Sequence, residues 1–315
     1  MLSLVLSPMK LASLVVMLMG TFVSISSEGL VGVWLGLELN LYGFLVVMNP
    51  DGHHNPEPCV KYFVVQSTGS ILMLSGFLFL TEECVESGLI MSSLGVLLKS
   101  GVFPLHSWVP STIKNSSWLA SGLMLTWQKI SPLVFLSMIM PSKVLWSVIV
   151  LMAGIGAVGG LNQNSVRVMS AYSSFVHTSW MLLGLMWSTV VFVGYFAVYS
   201  LSVGLFFYGC SLSDKASMVG QFSSAASGMG LLMLMGMPPF LGFLAKVLIF
   251  LISSGPLISV CIMSSVISLK FYMDFFYSMM MKSLVDKNKM EMKLMWAFVV
   301  IVNFMGVVLV LGLLS

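Results

Sequence analysis

Glu38, Lys99, Lys129, His177 and Lys246 are ionisable residues set inside long apolar stretches: VGVWLGLELNLYGF, LGVLLKSGVFPLHSWVP, GLMLTWQKISPLVF, AYSSFVHTSWML and GMPPFLGFLAKVLIF. An ammonium at the centre of a bilayer costs about 2.5–3.5 kcal/mol on insertion scales, so residues of this kind are rare there and mark ion pathways or proton relays. The chemistry they share is proton exchange. Removal from water disfavours the charged form of an acid or base and an opposite charge restores it, which brings amines and carboxyls toward the range where protons move at physiological pH. A glutamate–lysine pair at the end of a row of lysines switches protonation along the row whenever the pair is made or broken. His106, near the end of LLKSGVFPLH, is a further polar group in the same set. The bland alternative for Glu38 and Lys99 is a static buried ion pair, although such pairs are often no better for stability than apolar replacements.

Composition fixes the kind of element that must hold these groups. Of 315 residues, 58% are hydrophobic and 8% charged, against about 25% charged in soluble domains. The apolar runs are continuous and near the length of a membrane helix, and do not alternate with period two, so the expected fold class is an all-α, polytopic membrane protein with one transmembrane domain over 1–315. A net charge of +3 is too small to point to nucleic acid. Cys59, Cys84, Cys210 and Cys261 are far apart and form no CxxC, so no disulfide framework, metal site or iron–sulfur cluster is expected from them. The adjacent His53 and His54 lack partners at ligand spacing and read as a solvated turn among Pro, Asn and Gly. The opening residues run directly into an apolar helix, without the Arg-rich pattern of a presequence or a clean signal cleavage site. Insertion during synthesis, or synthesis inside the organelle of use, is the expectation. The 28 methionines fit lipid-facing packing by a flexible, polarizable side chain.

About eleven segments are long enough to cross ~30 Å of hydrocarbon: 4–26, 29–48, 58–81, 87–109, 117–140, 144–161, 165–187, 189–212, 223–253, 256–279 and 293–314. Pro132 interrupts the fifth, three residues after Lys129, and Pro238-Pro239 interrupts the ninth, ahead of Lys246. Both helices are expected to break there, because proline removes a donor and clashes with the preceding turn. Broken helices in a membrane are tolerated where they are buried in protein or line a hydrated cavity, and their freed backbone groups then bind ions or water. A kink that only aids packing is the alternative. Loops after even-numbered spans carry Lys61, Lys114, Arg167, Lys215, Lys282, Lys287, Lys289 and Lys293, whereas those after odd-numbered spans carry Lys143 and the acids Glu28, Glu82, Glu83 and Glu86. The positive-inside rule then puts the N-terminus on the cytoplasmic or matrix side and, with an odd count, the C-terminus opposite. Lys10 is expected to snorkel to the interface. Lys270 and Asp274, four apart in span ten, share a face and are expected to form a local pair.

Six motifs in order and spacing give the chain a family: GTFVSISSEGLVGVWLGLELNL, KYFVVQ, LLKSGVFPLHSWVP, LTWQKISP, GGLNQNSVRVMSAYSS and GMPPFLGFLAK. Over residues 20–253 it closely resembles the antiporter-like membrane subunits of NADH–ubiquinone oxidoreductase, respiratory complex I. The resemblance implies two inverted repeats of five helices, with breaks near Lys129/Pro132 and Pro238/Pro239, and the shortened N-terminus of animal chains. It implies a proton-transfer axis of one glutamate and three lysines, which fall by motif on Glu38 (GLELN), Lys99 (LLKSG), Lys129 (TWQK) and Lys246 (GFLAK). His106 and His177 fall on polar family positions. It further implies the mitochondrial inner membrane, an N-terminus in the matrix and a C-terminus in the intermembrane space, and synthesis within mitochondria, where a code reading an extra codon as Met would contribute to the methionine count. The implied partners are other membrane-arm subunits, including neighbouring antiporter-like chains, and membrane lipids. The chain departs from the family at Val168, where a second basic residue is usual, at Ala245, where proline is frequent, and at Asp274 and Lys270, where an arginine and an aromatic residue are common.

The function expected is proton translocation by a non-redox subunit. NADH, FMN, iron–sulfur clusters and ubiquinone would be bound by other subunits, since this chain has no GxGxxG after a strand and no cluster ligand set. A stand-alone cation/proton antiporter of related fold is the second reading; it would need a carboxylate at the broken helices, and none stands beside Pro132 or Pro238. A scaffold whose buried charges only hold neighbours together is the third.

Overall fold

The computed structural model of the chain describes residues 8–49, 56–81, 85–213, 220–238, 240–253 and 255–283, and among these there is no β-strand. Among the described residues thirteen α-helices follow one another: α1 Pro8–Ser26, α2 Leu30–Met48, α3 Glu57–Thr81, α4 Val85–Ser100, α5 Trp108–Ile113, α6 Trp118–Leu125, α7 Ile130–Ile139, α8 Ser142–Gly160, α9 Val166–Trp187, α10 Thr189–Ser213, α11 Gly220–Met235, α12 Leu241–Ile252 and α13 Pro256–Ser283. Seven stretches among the described residues are long and apolar enough to cross a membrane: α1, α2, α3, 118–139, α8, α10 and α13. Each of the first ten expected spans contains helix; the eleventh, 293–314, lies outside the described residues, as do His53, His54 and Pro239.

Large apolar side chains point outward along these helices, among them Met19, Phe22, Ile71 and Val190. A bilayer explains this arrangement: lipid is as apolar as the protein core, so helices associate through close packing of small residues. Between α1 and α2 the glycines sit against the opposing backbone, and a Cβ on Gly20 would lie 2.5 Å from the Asn40 nitrogen. Between α3 and α4 a Cβ on Gly76 would lie 2.5 Å from the Ser92 nitrogen, and one on Gly95 2.7 Å from the Gly69 oxygen. Buried serines and threonines return their hydroxyl hydrogens to carbonyls one turn back on their own helix, as Ser92 does to Leu89 and Thr178 to Phe175.

The chain divides into two compact units, Met1–Val148 and Ile149–Ser315. In the first, α1 packs on α2 and α3 on α4, while α7 lies against α1 and α4, and α5 against α3. In the second, α10 packs on α11, and α9, α12 and α13 complete the group. Helix α9 is largely buried there and is lined with Ser170, Ser173, Ser174, His177, Thr178 and Ser179.

Helix interruptions define the architecture, and the structure relocates one of them. The segment expected as a single span over 87–109 stops at Ser100. Gly101 adopts φ 64°, its N–H bonds to the Leu98 carbonyl at 3.2 Å and the Val102 N–H to the Leu97 carbonyl at 3.1 Å. These two bonds close a Schellman motif, which requires a left-handed residue after the helix. The chain then turns through Phe103–Ser107 before α5 begins. In the fifth span the break lies at Thr126–Lys129, one turn before Pro132, with Trp127–Lys129 wound as a 3₁₀ turn. Pro132 occupies the first turn of α7, where an amide has no intrahelical partner in any case. The ninth span parts into α11 and α12, with Gly236 at φ 68°.

Gly101→Ala tests the first of these breaks. A left-handed alanine costs about 1–2 kcal/mol, and its Cβ would also press on the Val109 side chain. The purified protein is expected to unfold at a lower temperature in a thermal melt; an unchanged melting temperature would contradict the assignment.

Candidate functional site

The first unit gathers its polar side chains where helices α2, α3 and α4 meet the Thr126–Lys129 turn. Lys99 stands in the last turn of α4, where a cation suits the negative end of the helix dipole. Its Nζ donates to Glu38 Oε1 of α2 at 2.8 Å, with 2% of the lysine side chain and 14% of the glutamate exposed. Glycines admit the lysine stem: a Cβ on Gly69 of α3 would lie 2.9 Å from Lys99 Cγ. Two side chains donate to carbonyls in the last turn of α4. Gln66 Nε2 donates to the Lys99 carbonyl at 3.1 Å, and Trp108 Nε1 donates to the Leu98 carbonyl at 3.1 Å.

A second set of hydrogen bonds joins the same helices to the Lys129 turn. Gln128 Nε2 donates to Asn40 Oδ1 at 2.9 Å, and the Tyr62 hydroxyl donates to Gln128 Oε1 at 3.2 Å. Asn40, Tyr62, Gln128 and Lys129 are all buried. Glu38 and Asn40 are two residues apart on α2, so the same short stretch serves both the ion pair and the glutamine. Ser24 of α1 donates to Ser131 at 2.7 Å and ties down the other side of the turn. Lys129 is thus held at the N-terminal end of α7, in irregular backbone enclosed by protein.

His106 was expected near the end of a span but lies in the turn between α4 and α5, half-buried, with its ring 6.2 Å from that of Phe103. The lysine–glutamate pair and Lys129 are therefore brought together with Asn40, Gln128, Tyr62 and Gln66, four polar residues that hydropathy had merged into the apolar spans.

Two further groups occupy the second unit. Lys246 of α12 reaches back to the end of α11, where its Nζ donates to the Met235 carbonyl at 3.0 Å. In a continuing helix that carbonyl would accept from the amide of residue 239, which is proline and has no N–H. The lysine thus takes up an acceptor that the sequence leaves without a helical donor. Gly236 permits the approach, since a Cβ there would stand 3.0 Å from the ammonium. Pro238 is exposed beside this turn. His177 is 5% exposed on α9. Its Nδ1 lies 2.8 Å from the Tyr195 hydroxyl of α10, its Nε2 lies 3.3 Å from the Tyr272 hydroxyl of α13, and the Tyr199 ring is 4.9 Å away. Both imidazole nitrogens are therefore joined to phenols, an arrangement in which a proton gained at one nitrogen can leave from the other. No sequence spacing links these tyrosines to His177, because they come from two other helices, α10 and α13.

Comparison with known proteins supplies the family. Residues 81–269 match the family described as NADH:quinone oxidoreductase/Mrp antiporter, TM. The chain is 80% identical over 303 residues to NADH-ubiquinone oxidoreductase chain 2 of Mytilus edulis, covering 96% of each sequence. It is 35% identical to the chain 2 protein of Anopheles gambiae over 89% of this chain and 88% of that one. Among solved structures, a chain of respiratory complex I from Thermus thermophilus with bound aureothin aligns with a TM-score of 0.78 at 19% identity, over 96% of this chain and 79% of that one. A chain of the Mrp complex from Dietzia aligns with a TM-score of 0.71 at 15% identity, over 86% and 59%. At these identities the structural matches establish the antiporter-like fold. The sequence identity carries the assignment, and the chain belongs to the NADH-ubiquinone oxidoreductase chain 2 family.

Proposed function

We propose that this chain is a proton-translocating membrane subunit of respiratory complex I in the mitochondrial inner membrane, and that it carries no redox centre. The observation that supports this best is the buried Lys99–Glu38 ion pair, linked by shared helices and the Asn40–Gln128–Tyr62 hydrogen bonds to Lys129. Glu38 and Lys99 are the switching pair. When the carboxylate withdraws, or takes up a proton, the ammonium loses the charge that stabilises it in low dielectric and is driven to release its own proton. Lys129, enclosed at a helix break, receives and passes on protons as the central relay. Lys246 passes the proton toward one surface or the next subunit, and the His177–tyrosine cluster supplies a further exchange group.

Redox energy reaches these residues as a conformational or electrostatic change from subunits that bind NADH, FMN, iron–sulfur clusters and ubiquinone. The loop charges support an N-terminus in the matrix and a C-terminus in the intermembrane space. The partners are other membrane-arm subunits, among them neighbouring antiporter-like chains, and the surrounding lipids.

A purely structural role for the ion pair makes a different prediction from a switching one. Removing one member of a buried pair leaves an uncompensated charge and costs about 3–5 kcal/mol. Lys99→Met and Glu38→Gln are each expected to lower the yield of assembled complex on a native gel, and Lys99→Met with Glu38→Leu to recover it while pumping stays impaired. Recovery of both assembly and pumping would reduce the pair to a structural contact.

Lys129→Met should keep the helices and sharply reduce protons moved per electron, measured with a pH-sensitive dye in proteoliposomes oxidising NADH. An unchanged ratio would remove Lys129 from the path.

A further inference from the structure

Helix α13 buries one face and leaves the other open. Leu257, Cys261, Ser264, Ser268, Phe271 and Tyr272 point into the second unit. On the far side lie Met263 (62% exposed), Val266 (55%) and Tyr277 (61%), together with exposed Lys270 and Asp274. Successive members of this outer row are three or four residues apart, so they form one stripe along the helix.

The depth of the two charges is the unusual feature. The apolar span of this helix is Pro256–Met279. At ~1.5 Å per residue, Lys270 lies about 4 Å and Asp274 about 10 Å beyond its midpoint. A lone surface pair of this kind would face hydrocarbon, where charge is strongly disfavoured. The two do not neutralise each other: among the described residues no ion pair joins them, and a lysine four residues ahead of an acid is the less favourable order on a helix. They also do not belong to the axis of Glu38, Lys99, Lys129 and Lys246, because they face outward.

We propose that this stripe is the docking surface for a transmembrane helix of another subunit of the complex. That helix carries a carboxylate opposite Lys270 and, one turn along, a hydrogen-bond donor or cation opposite Asp274. Charge complementarity selects this occupant. Lipid chains offer neither group at that depth. The chain's own remaining span, 293–314, contains no aspartate or glutamate and, after Lys293, only Asn303 as a polar residue. Aliphatic and aromatic side chains on either side of the charges supply the apolar border that excludes competing water and lipid head groups. The inference rests on the chain being a subunit of the complex and not on its moving protons, so it can fail or stand independently of the lysine relay.

Met263 permits a test in the intact complex. Cells supplied with photo-methionine carry a diazirine at this position, and irradiated mitochondrial membranes yield adducts that mass spectrometry maps residue by residue. The expected adduct from Met263 is to a transmembrane peptide of another complex I subunit with an acidic residue in it. Adducts to lipid alone, or to residues 293–314 of this chain alone, would overturn the proposal. Charge variants provide a second reading. Lys270→Leu is expected to lower the assembled complex at least about tenfold on a native gel, as loss of one partner of a desolvated interfacial pair does, with unchanged protons per electron in the fraction that assembles. Lys270→Arg is expected to restore assembly. Wild-type assembly of both Lys270→Leu and Asp274→Leu would also overturn it.

Discussion

The Lys99–Glu38 contact is the constraint around which the first unit is arranged. An ammonium at this depth needs an anion, and bringing the two together dictates where helices end and which residues can pack. α4 must stop one residue past Lys99, which Gly101 accomplishes by turning left-handed. α3 must approach closely enough for Gly69 to lie on the lysine stem, so small residues line that helix pair. Gln66 and Trp108 then donate to carbonyls of the interrupted turn. Each of these features costs helix continuity or packing volume, and none is needed by a helix that only fills space. They are concentrated at this one ion pair.

Both units pair a lysine with a broken helix. Lys99 ends α4 and Lys129 begins α7, each against irregular backbone, and Lys246 binds the carbonyl at the end of α11. At Lys99 the partner is the Glu38 carboxylate, and at Lys246 it is the backbone carbonyl of Met235, freed where α11 ends. His177 is met by tyrosine hydroxyls from two neighbouring helices.

Much of this was legible in the sequence, and what escaped has identifiable reasons. Charged residues inside apolar runs stand out against their surroundings, so Glu38, Lys99, Lys129 and Lys246 are visible from composition alone. The break after Lys99 was signalled by Gly101 followed by Pro104, a common helix-stop pattern, but the apolar run through Val109 hid it. Pro132 drew attention to the correct helix yet sits past the interruption, because proline is tolerated in a first turn. Asn40, Tyr62, Gln66 and Gln128 were submerged in hydrophobic windows, and only their mutual distances reveal them. The tyrosines around His177 belong to two other helices, α10 and α13, and no spacing rule connects them to it.

The account stands on Glu38 changing its charge state during turnover. The most direct measurement is infrared difference spectroscopy of the complex, comparing resting membranes with membranes oxidising NADH, in the wild type and in Glu38→Gln. Switching predicts loss of a carboxylate stretch with gain of a protonated carboxyl band, or a displaced carboxylate stretch as the pair opens, in the wild type and not in the variant. Identical difference spectra for the two proteins would show a carboxylate that keeps its proton state and its surroundings throughout, and would contradict the account.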